Sequence, residues 1–279
     1  MAAEPTGFGC PTCFFEDNLP HMYPLTEDLE TAGEFFGNLR MPDPKADGFM
    51  PLILNQQRYY QKLMEQDGEE VYMVCARGPF TVASHMFTVT QLLMLMMTDP
   101  EAADKLLSKT VECVKLWLEA QLDNVKTAKA VMVLDDVCGY FSPEDFKTLC
   151  MPYMKQVFDA FPEVRRYFHN DFTSNSCYPY LAEMGVEVFN FTHMQEIGES
   201  RKLVGDKVVF MGNVPPMLLA QGDPKTVYET TKSVIESYVA ANGSHHGLLI
   251  GPGGGMPMGA VKPNIDAMIQ AVKDYNLTL

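Results

Sequence analysis

Arg165-Arg166-Tyr167-Phe168-His169-Asn170-Asp171 is the stretch on which the reading of this 279-residue chain turns. A short β-favouring run ends here in polar residues that can bind a metal or move a proton. Comparable endings recur along the chain. Val71–Cys75 leads to Arg77, and Ala130–Leu134 leads to Asp135 and Asp136. Val186–Phe191 carries Asn190 near its end and is followed by His193. Val208–Met211 leads to Asn213, and Gly247–Ile250 leads to the run Gly251-Pro-Gly-Gly-Gly255. One polar site assembled from several strand ends is the signature of an enzyme.

Between most of these runs lie segments of helical period. Leu52 to Gln66 reads as a helix. Thr98-Asp-Pro-Glu101 has capping-box spacing with proline in the first turn. Behind it Leu107, Val111, Val114, Leu118, Leu122 and Val125 repeat on one face. Ser142-Pro-Glu-Asp145 opens the next helix. Asp223-Pro224 opens another, with Val227, Thr231, Val234, Ile235 and Tyr238 on one side. Pro263 begins the last, with Ile265, Met268, Ile269 and Val272 expected inward.

Strand and helix in alternation mean parallel strands joined by right-handed crossovers. An open doubly wound sheet concentrates its site at one switch point. A closed barrel gathers residues from nearly all its strand ends on one face. The spread of polar endings therefore points to an α/β chain with a (β/α)8 TIM barrel. Six strands are legible where eight are expected. Residues 1–60, rich in proline, glycine and acids, read as an irregular lead-in with a short helical stretch near Glu27–Phe36. Residues 61–279 read as the barrel.

The net charge of −15 disfavours binding to nucleic acid or an anionic membrane. No apolar run approaches the roughly 20 residues that span a bilayer. The opening Met1-Ala2-Ala3-Glu4-Pro5 lacks the basic and apolar regions of a secretory signal, so a cytoplasmic location is expected. Six arginines are too few to suggest a polyanionic substrate. Seven scattered cysteines, an odd number, argue against a disulfide framework. Cys10-Pro-Thr-Cys13 has no second pair to make a zinc ribbon and reads as structural. Met94, Met96 and Met97 read as core filling.

The chemistry rests on few residues. His169 and Asp171 share one side of an extended segment, and both are zinc ligands and proton carriers. A hydrogen-bonded pair with no catalytic part is the competing reading. Asp135 and Asp136 are neighbours on a strand, so they point to opposite faces. At most one enters the barrel mouth, leaving the other to cap a turn. Asn213 offers a donor and an acceptor beside stiffening prolines. Gly253 and Gly254 allow close backbone approach or a positive φ. His245-His246 falls in a polar loop before the last strand, on the opposite face.

These motifs resemble a family. Asp136-Val-Cys-Gly-Tyr-Phe-Ser-Pro-Glu-Asp-Phe146, Pro152-Tyr153, the His169 segment, Gly185-Val-Glu-Val188, Phe210-Met-Gly-Asn-Val214, Gly251 to Pro257 and Pro263-Asn-Ile-Asp-Ala267 carry the resemblance from about Asp135 onward. Gly78-Pro79-Phe80-Thr81 adds an earlier match. Together they resemble the uroporphyrinogen decarboxylase superfamily, which includes cobalamin-dependent methyltransferases on the same barrel. In that methyltransferase branch a His-x-Cys pair and a later cysteine in Pro-Gly-Cys-Gly hold zinc. Here the pair is His169 and Asp171, and the late position is Gly254. Zinc is then expected on His169 and Asp171, with an outside carboxylate such as Asp136. The resemblance implies that the family's N-terminal region, with its first barrel strands, has no counterpart here, so the (β/α)8 TIM barrel would lack its first strands, and a partner chain or dimerisation is expected to cover the open barrel.

The resemblance implies a corrinoid-dependent methyltransferase component. It would move a methyl group between a small methylated substrate and a corrinoid carried by a partner protein. His169, Asp171 and Asp136 are the expected catalytic residues. Asn213, Arg77, Asn190, His193, Gly253 and Gly254 are the expected substrate-binding ones. A decarboxylase-like lyase and a non-catalytic paralogue that binds a ligand or partner are the alternatives.

Overall fold

The computed structural model describes residues 3–17 and 20–277, so Met1 and Ala2 of the opening segment lie outside the described residues. In chain order the elements are α1 (Glu4–Gly7), β1 (Thr12–Cys13), β2 (His21–Met22), α2 (Ala32–Asn38), α3 (Met50–Gln66), β3 (Met73–Arg77), α4 (Pro79–Phe87), α5 (Val89–Thr98), α6 (Pro100–Asn124) and β4 (Ala130–Leu134). Then follow α7 (Pro143–Asp145), α8 (Met151–Asp159), β5 (Arg165–Asn170), β6 (Val188–Phe191), α9 (Ile197–Val204), β7 (Val209–Met211), α10 (Pro216–Gln221), α11 (Pro224–Asn242), β8 (Leu248–Leu249) and α12 (Lys262–Asn276). A π-helical turn, Phe146–Cys150, joins α7 to α8. The six expected strands are β3 to β8, with ends shifted by up to two residues in most. Alternating parallel strands and helices make the chain α/β and TIM-barrel-like.

Two compact units divide the chain. The first comprises Met1–Cys138 and Lys147–Arg166, and the second Gly139–Phe146 and Tyr167–Leu279. In the first, β3 and β4 run parallel in register from Met73↔Ala130 to Arg77↔Leu134. Strand β3 packs on α6, whose Leu107, Val111, Val114 and Leu118 are buried as the helical period requires. Leu122 of the same stripe is only half-buried. The cap of α6 is Asp99, which accepts from the Ala102 N–H at 3.0 Å, and not Thr98. Thr98 is instead the last residue of α5 and donates its hydroxyl to the Met94 carbonyl at 2.8 Å. Of the methionine run only Met96 is core. Met94 and Met97 are exposed.

The outer edge of β3 is met by side chains of this chain. Lys129 N–H donates to the Tyr72 carbonyl and Gly78 N–H to the Leu134 carbonyl, so even-numbered residues face β4 and odd ones face away. On the far side Arg77 N–H donates to the buried Glu4 carboxylate at 2.7 Å. The Cys75 carbonyl accepts from the Gln121 amide at 2.9 Å. The lead-in helix α1 and helix α6 thus supply partners where the expected barrel would have another strand. A cavity of about 300 Å³, lined by Glu4, Gln57, Cys75, Arg77 and Trp117 among others, lies there. All seven cysteines are free.

In the second unit β5, β6, β7 and β8 are parallel neighbours in sequence order. Register aligns Phe168 with Phe189 and Phe189 with Phe210, so three phenylalanines share one face. The Phe168 and Phe189 rings stack at 5.7 Å, and Tyr178 meets Phe189 edge-on at 5.2 Å. Each such pair contributes about 0.5–1.5 kcal/mol beyond area burial. On α11, Asp223 caps the start and Val227, Thr231, Ile235 and Tyr238 are buried as expected. The last helix, α12, presents a different face from the one expected. Met268 is buried, but Ile269 is 44% exposed, and Asn264 and Ala271 are buried instead. The physical reason is the Asn264 amide, which donates to the carbonyls of Leu218, Leu219 and Gly222 at the end of α10.

Arg201 ties this unit together at the start of its strands. Its guanidinium donates to Asn242 Oδ1 at 2.8 Å and to the Val208 carbonyl at 2.7 Å. It also lies 5.4 Å from the ring centres of both Phe210 and Tyr238. His245 and His246 fall in the loop between α11 and β8, as expected. Among the described residues no single helix is long and apolar enough to cross a membrane.

Candidate functional site

Period-two alternation sorts the end of β5. Phe168 turns toward the aromatic layer, and His169 turns to the other face, where register sets it beside Asn190 of β6. Asn170 then ends the strand by a local competition. Its Oδ1 accepts from the Phe172 N–H at 3.2 Å, an Asx turn that bends the chain away from the sheet. Asp171 sits in that bend and is 45% exposed at its side chain, whereas His169 is nearly buried. His169 Nε2 and Asp171 Oδ2 are 3.8 Å apart.

The other ring nitrogen has a specific partner. His169 Nδ1 lies 2.6 Å from Asn190 Oδ1. The Asn190 amide nitrogen donates to the Met211 carbonyl at 2.7 Å and to the Pro252 carbonyl at 3.2 Å. Asn190 is buried, and both ends of its amide are engaged within the protein.

Gly254 adjoins Asp171. Its φ is +117°, and a Cβ placed there would meet Asp171 Oδ2 at 3.3 Å. The Asp171 carboxylate therefore stands beside the position where a side chain at residue 254 would project. Gly253 serves a different contact. A Cβ there would lie 2.6 Å from the His193 backbone nitrogen and 2.9 Å from Asn213 Cβ, so this close approach of backbone to backbone requires glycine. His193 itself is exposed, with Nδ1 3.4 Å from the Gly253 carbonyl. The Asn213 amide donates to the carbonyls of Gln195 at 2.7 Å and Thr192 at 3.3 Å, fastening the loop after β6. The second unit thus holds seven of the nine expected site residues: His169, Asp171, Asn190, His193, Asn213, Gly253 and Gly254.

Arg77 and Asp136 belong to the first unit, at the ends of β3 and β4. Asp136 is half-buried. Its neighbour Asp135 is fully buried and turns to the opposite side, where it caps α4. Asp135 Oδ2 accepts from Phe80 N–H at 2.8 Å, and Oδ1 accepts from the Thr81 hydroxyl at 3.0 Å. Burial pushes its carboxyl up to about 7, against the opposing pull of these hydrogen bonds. Gly78 makes the contact feasible, because a Cβ there would lie 2.4 Å from Asp135 Oδ2. Sequence reasoning had both features in view, the Gly-Pro turn and one capping aspartate. It could not see that they meet across 57 residues.

The donor chemistry at β5 fits a divalent metal in part. Ligand atoms held at about 2.0–2.2 Å from zinc lie roughly 3–4 Å apart. The 3.8 Å between His169 Nε2 and Asp171 Oδ2 falls in that range. Gly254 offers no side-chain donor. The set is an imidazole and a carboxylate, harder than the cysteine-containing set of the methyltransferase branch.

Comparison with known proteins places the chain. The sequence profile described as uroporphyrinogen decarboxylase (URO-D) matches residues 1–275, and the chain belongs to that family. The match extends the resemblance, which the motifs carried from about Asp135, through the lead-in. A uroporphyrinogen decarboxylase from Pectobacterium carotovorum is 29% identical over 219 residues, covering 74% of this chain and 59% of that protein. One from Pseudoalteromonas atlantica is 26% identical over 250 residues, covering 86% of this chain and 67% of that protein. The chain therefore spans about three-fifths to two-thirds of the length of these relatives. A solved methyltransferase from Methanosarcina mazei superposes with a TM-score of 0.80 at 19% identity, over 98% of this chain and 78% of that one. This likeness establishes the shared fold.

Proposed function

We propose that this chain is a methyltransferase component of the uroporphyrinogen decarboxylase superfamily, moving a methyl group between a small methylated substrate and a corrinoid held by a partner protein. The observation that carries the reading is the His169–Asp171 pair, with a ring nitrogen and a carboxylate oxygen 3.8 Å apart just past a strand end. The methyltransferase likeness of the fold agrees with it. A zinc ion would be held by His169 and Asp171, and would supply Lewis-acid polarisation of the heteroatom bonded to the methyl group. The alternative role for the pair, without a metal, is proton transfer: Asp171, the more exposed of the two, would then carry the proton that passes to or from that heteroatom. Within the second unit, Asn213 is assigned to orienting the substrate, and His193 and the Gly253–Gly254 backbone to its binding.

A second reading, a decarboxylase-like lyase, has one observation in its favour: the name of the curated relatives. Charge argues against it. That name implies a substrate with several carboxylates, yet the chain carries a net −15 and six arginines. Arg201 among them is committed to Asn242 and the Val208 carbonyl.

Purified protein should carry zinc near one equivalent, and Asp171→Ala should reduce it to a small fraction. The same protein should methylate cob(I)alamin from one of a panel of methoxylated and methylamine donors. Absence of both zinc and methyl transfer, or consumption of uroporphyrinogen with release of carbon dioxide, would overturn the proposal.

A further inference from the structure

Asn190 was expected among the substrate-binding residues, yet both ends of its amide are engaged. Two backbone carbonyls, Met211 and Pro252, flank one end at 2.7 and 3.2 Å. Carbonyls only accept hydrogen bonds, so that end must be the NH2 group. The other end is then the oxygen, which also only accepts. It lies 2.6 Å from His169 Nδ1, and the pair is buried. A nitrogen bearing a lone pair could not sit there without repulsion between two acceptors. Three strands fix this arrangement: His169 is on β5, Asn190 on β6 and Met211 on β7, all in mutual register.

We infer that Asn190 is a positioning residue that holds neutral His169 in its Nδ1–H tautomer. The ring thereby presents the Nε2 lone pair on the side of Asp171. The chain of constraint runs from the Met211 and Pro252 carbonyls, through the Asn190 amide, to the imidazole. Free histidine in water favours the opposite, Nε2–H tautomer, which has no lone pair at Nε2 to offer. A metal-binding histidine needs its second nitrogen oriented by an acceptor, and loss of such an acceptor typically costs about 10–100-fold in metal affinity. The functional meaning of the tautomer, ligation or proton acceptance at Nε2, rests on the reading proposed above. The tautomer itself does not.

The experiment is long-range 1H–15N correlation of the histidine rings in the full-length protein without metal. His169→Gln identifies the resonance. The neutral His169 ring should show a protonated Nδ1 and an unprotonated Nε2. In Asn190→Leu, similar in size but with no acceptor, the ring should revert toward the Nε2–H form. Cobalt(II) affinity should fall about 10–100-fold in the same variant. A protonated Nε2 in the neutral ring of the unmodified protein overturns the inference, whether or not the variant folds. An unchanged tautomer in folded Asn190→Leu overturns it too. A protein with the Nδ1–H tautomer but no methyl transfer would sink the functional proposal and leave this one standing.

Discussion

His85 shows what burial does to a single titrating residue. It lies on α4, and loss of solvent pushes its imidazole down to about 4, with the nearby Arg77 and His21 charges adding to the effect. The folded value lies below the unfolded one of about 6.5, so the fold favours the neutral ring. The contribution to stability is complete above about pH 6.5 and is lost as pH falls toward about 4. The thermal midpoint of the unmodified protein should therefore drop faster than that of His85→Gln between those limits. Above them the two curves should run parallel. Parallel curves throughout would show that the ring is not desolvated. The same scale explains the limits of sequence reading at the site. His169-x-Asp171 was legible as a pair from its spacing, whereas the Asx turn at Asn170 that seats Asp171 in a bend was not. The part Asn190 plays was not, since its partners are the side chain of residue 169 and the backbones of residues 211 and 252.

Among elements, α4 depends on one glycine. A Cβ on Gly78 would lie 2.4 Å from Asp135 Oδ2 and 2.5 Å from Asp135 Cβ. Gly78→Ala should therefore displace the carboxylate that receives the Phe80 N–H and the Thr81 hydroxyl. Overpacking of this kind costs about 1–3 kcal/mol, and the midpoint of urea unfolding should fall accordingly. An unchanged midpoint would mean that β3 and α4 can shift without loss. Most elements were legible from local chemistry. Asp223 and Ser142 cap the helices expected of them, and Ala130–Leu134 is a strand over the residues read from its β-branched run. Two of the misreadings arise from polar groups at helix ends. At Thr98-Asp99 two capping residues are adjacent, and the choice fell to the one that reaches the Ala102 N–H. On α12 the apolar stripe yielded to Asn264, whose amide donates to the Gly222 carbonyl just past the end of α10.

Across the whole molecule, charge is the property that composition sets directly. Among the described residues several ion pairs lie between exposed residues four apart on a helix, such as Lys105 with Glu101 and Lys262 with Asp266. Pairs of this type are worth about 0.3–0.5 kcal/mol each. Self-repulsion from a net charge of −15 acts against them. Raising salt from about 0.01 M to about 0.15 M shortens the Debye length from roughly 30 to 8 Å. The thermal midpoint should rise by a few degrees over this range as repulsion is screened. A fall would mean that the surface pairs outweigh it.

The sequence by itself determined the order of strands and helices, the class of the fold and the polar character of its strand ends. Those depend on periodicity and capping, which act over a few residues. Only the tertiary structure decided which polar residues serve the fold and which face a site. Asp135 caps a helix that begins 56 residues earlier, and Asn190 is held by two carbonyls from other segments. Glu4 meets the edge of a strand 73 residues away. Buried polar atoms must find partners wherever the chain brings them, and neither composition nor spacing records where that will be.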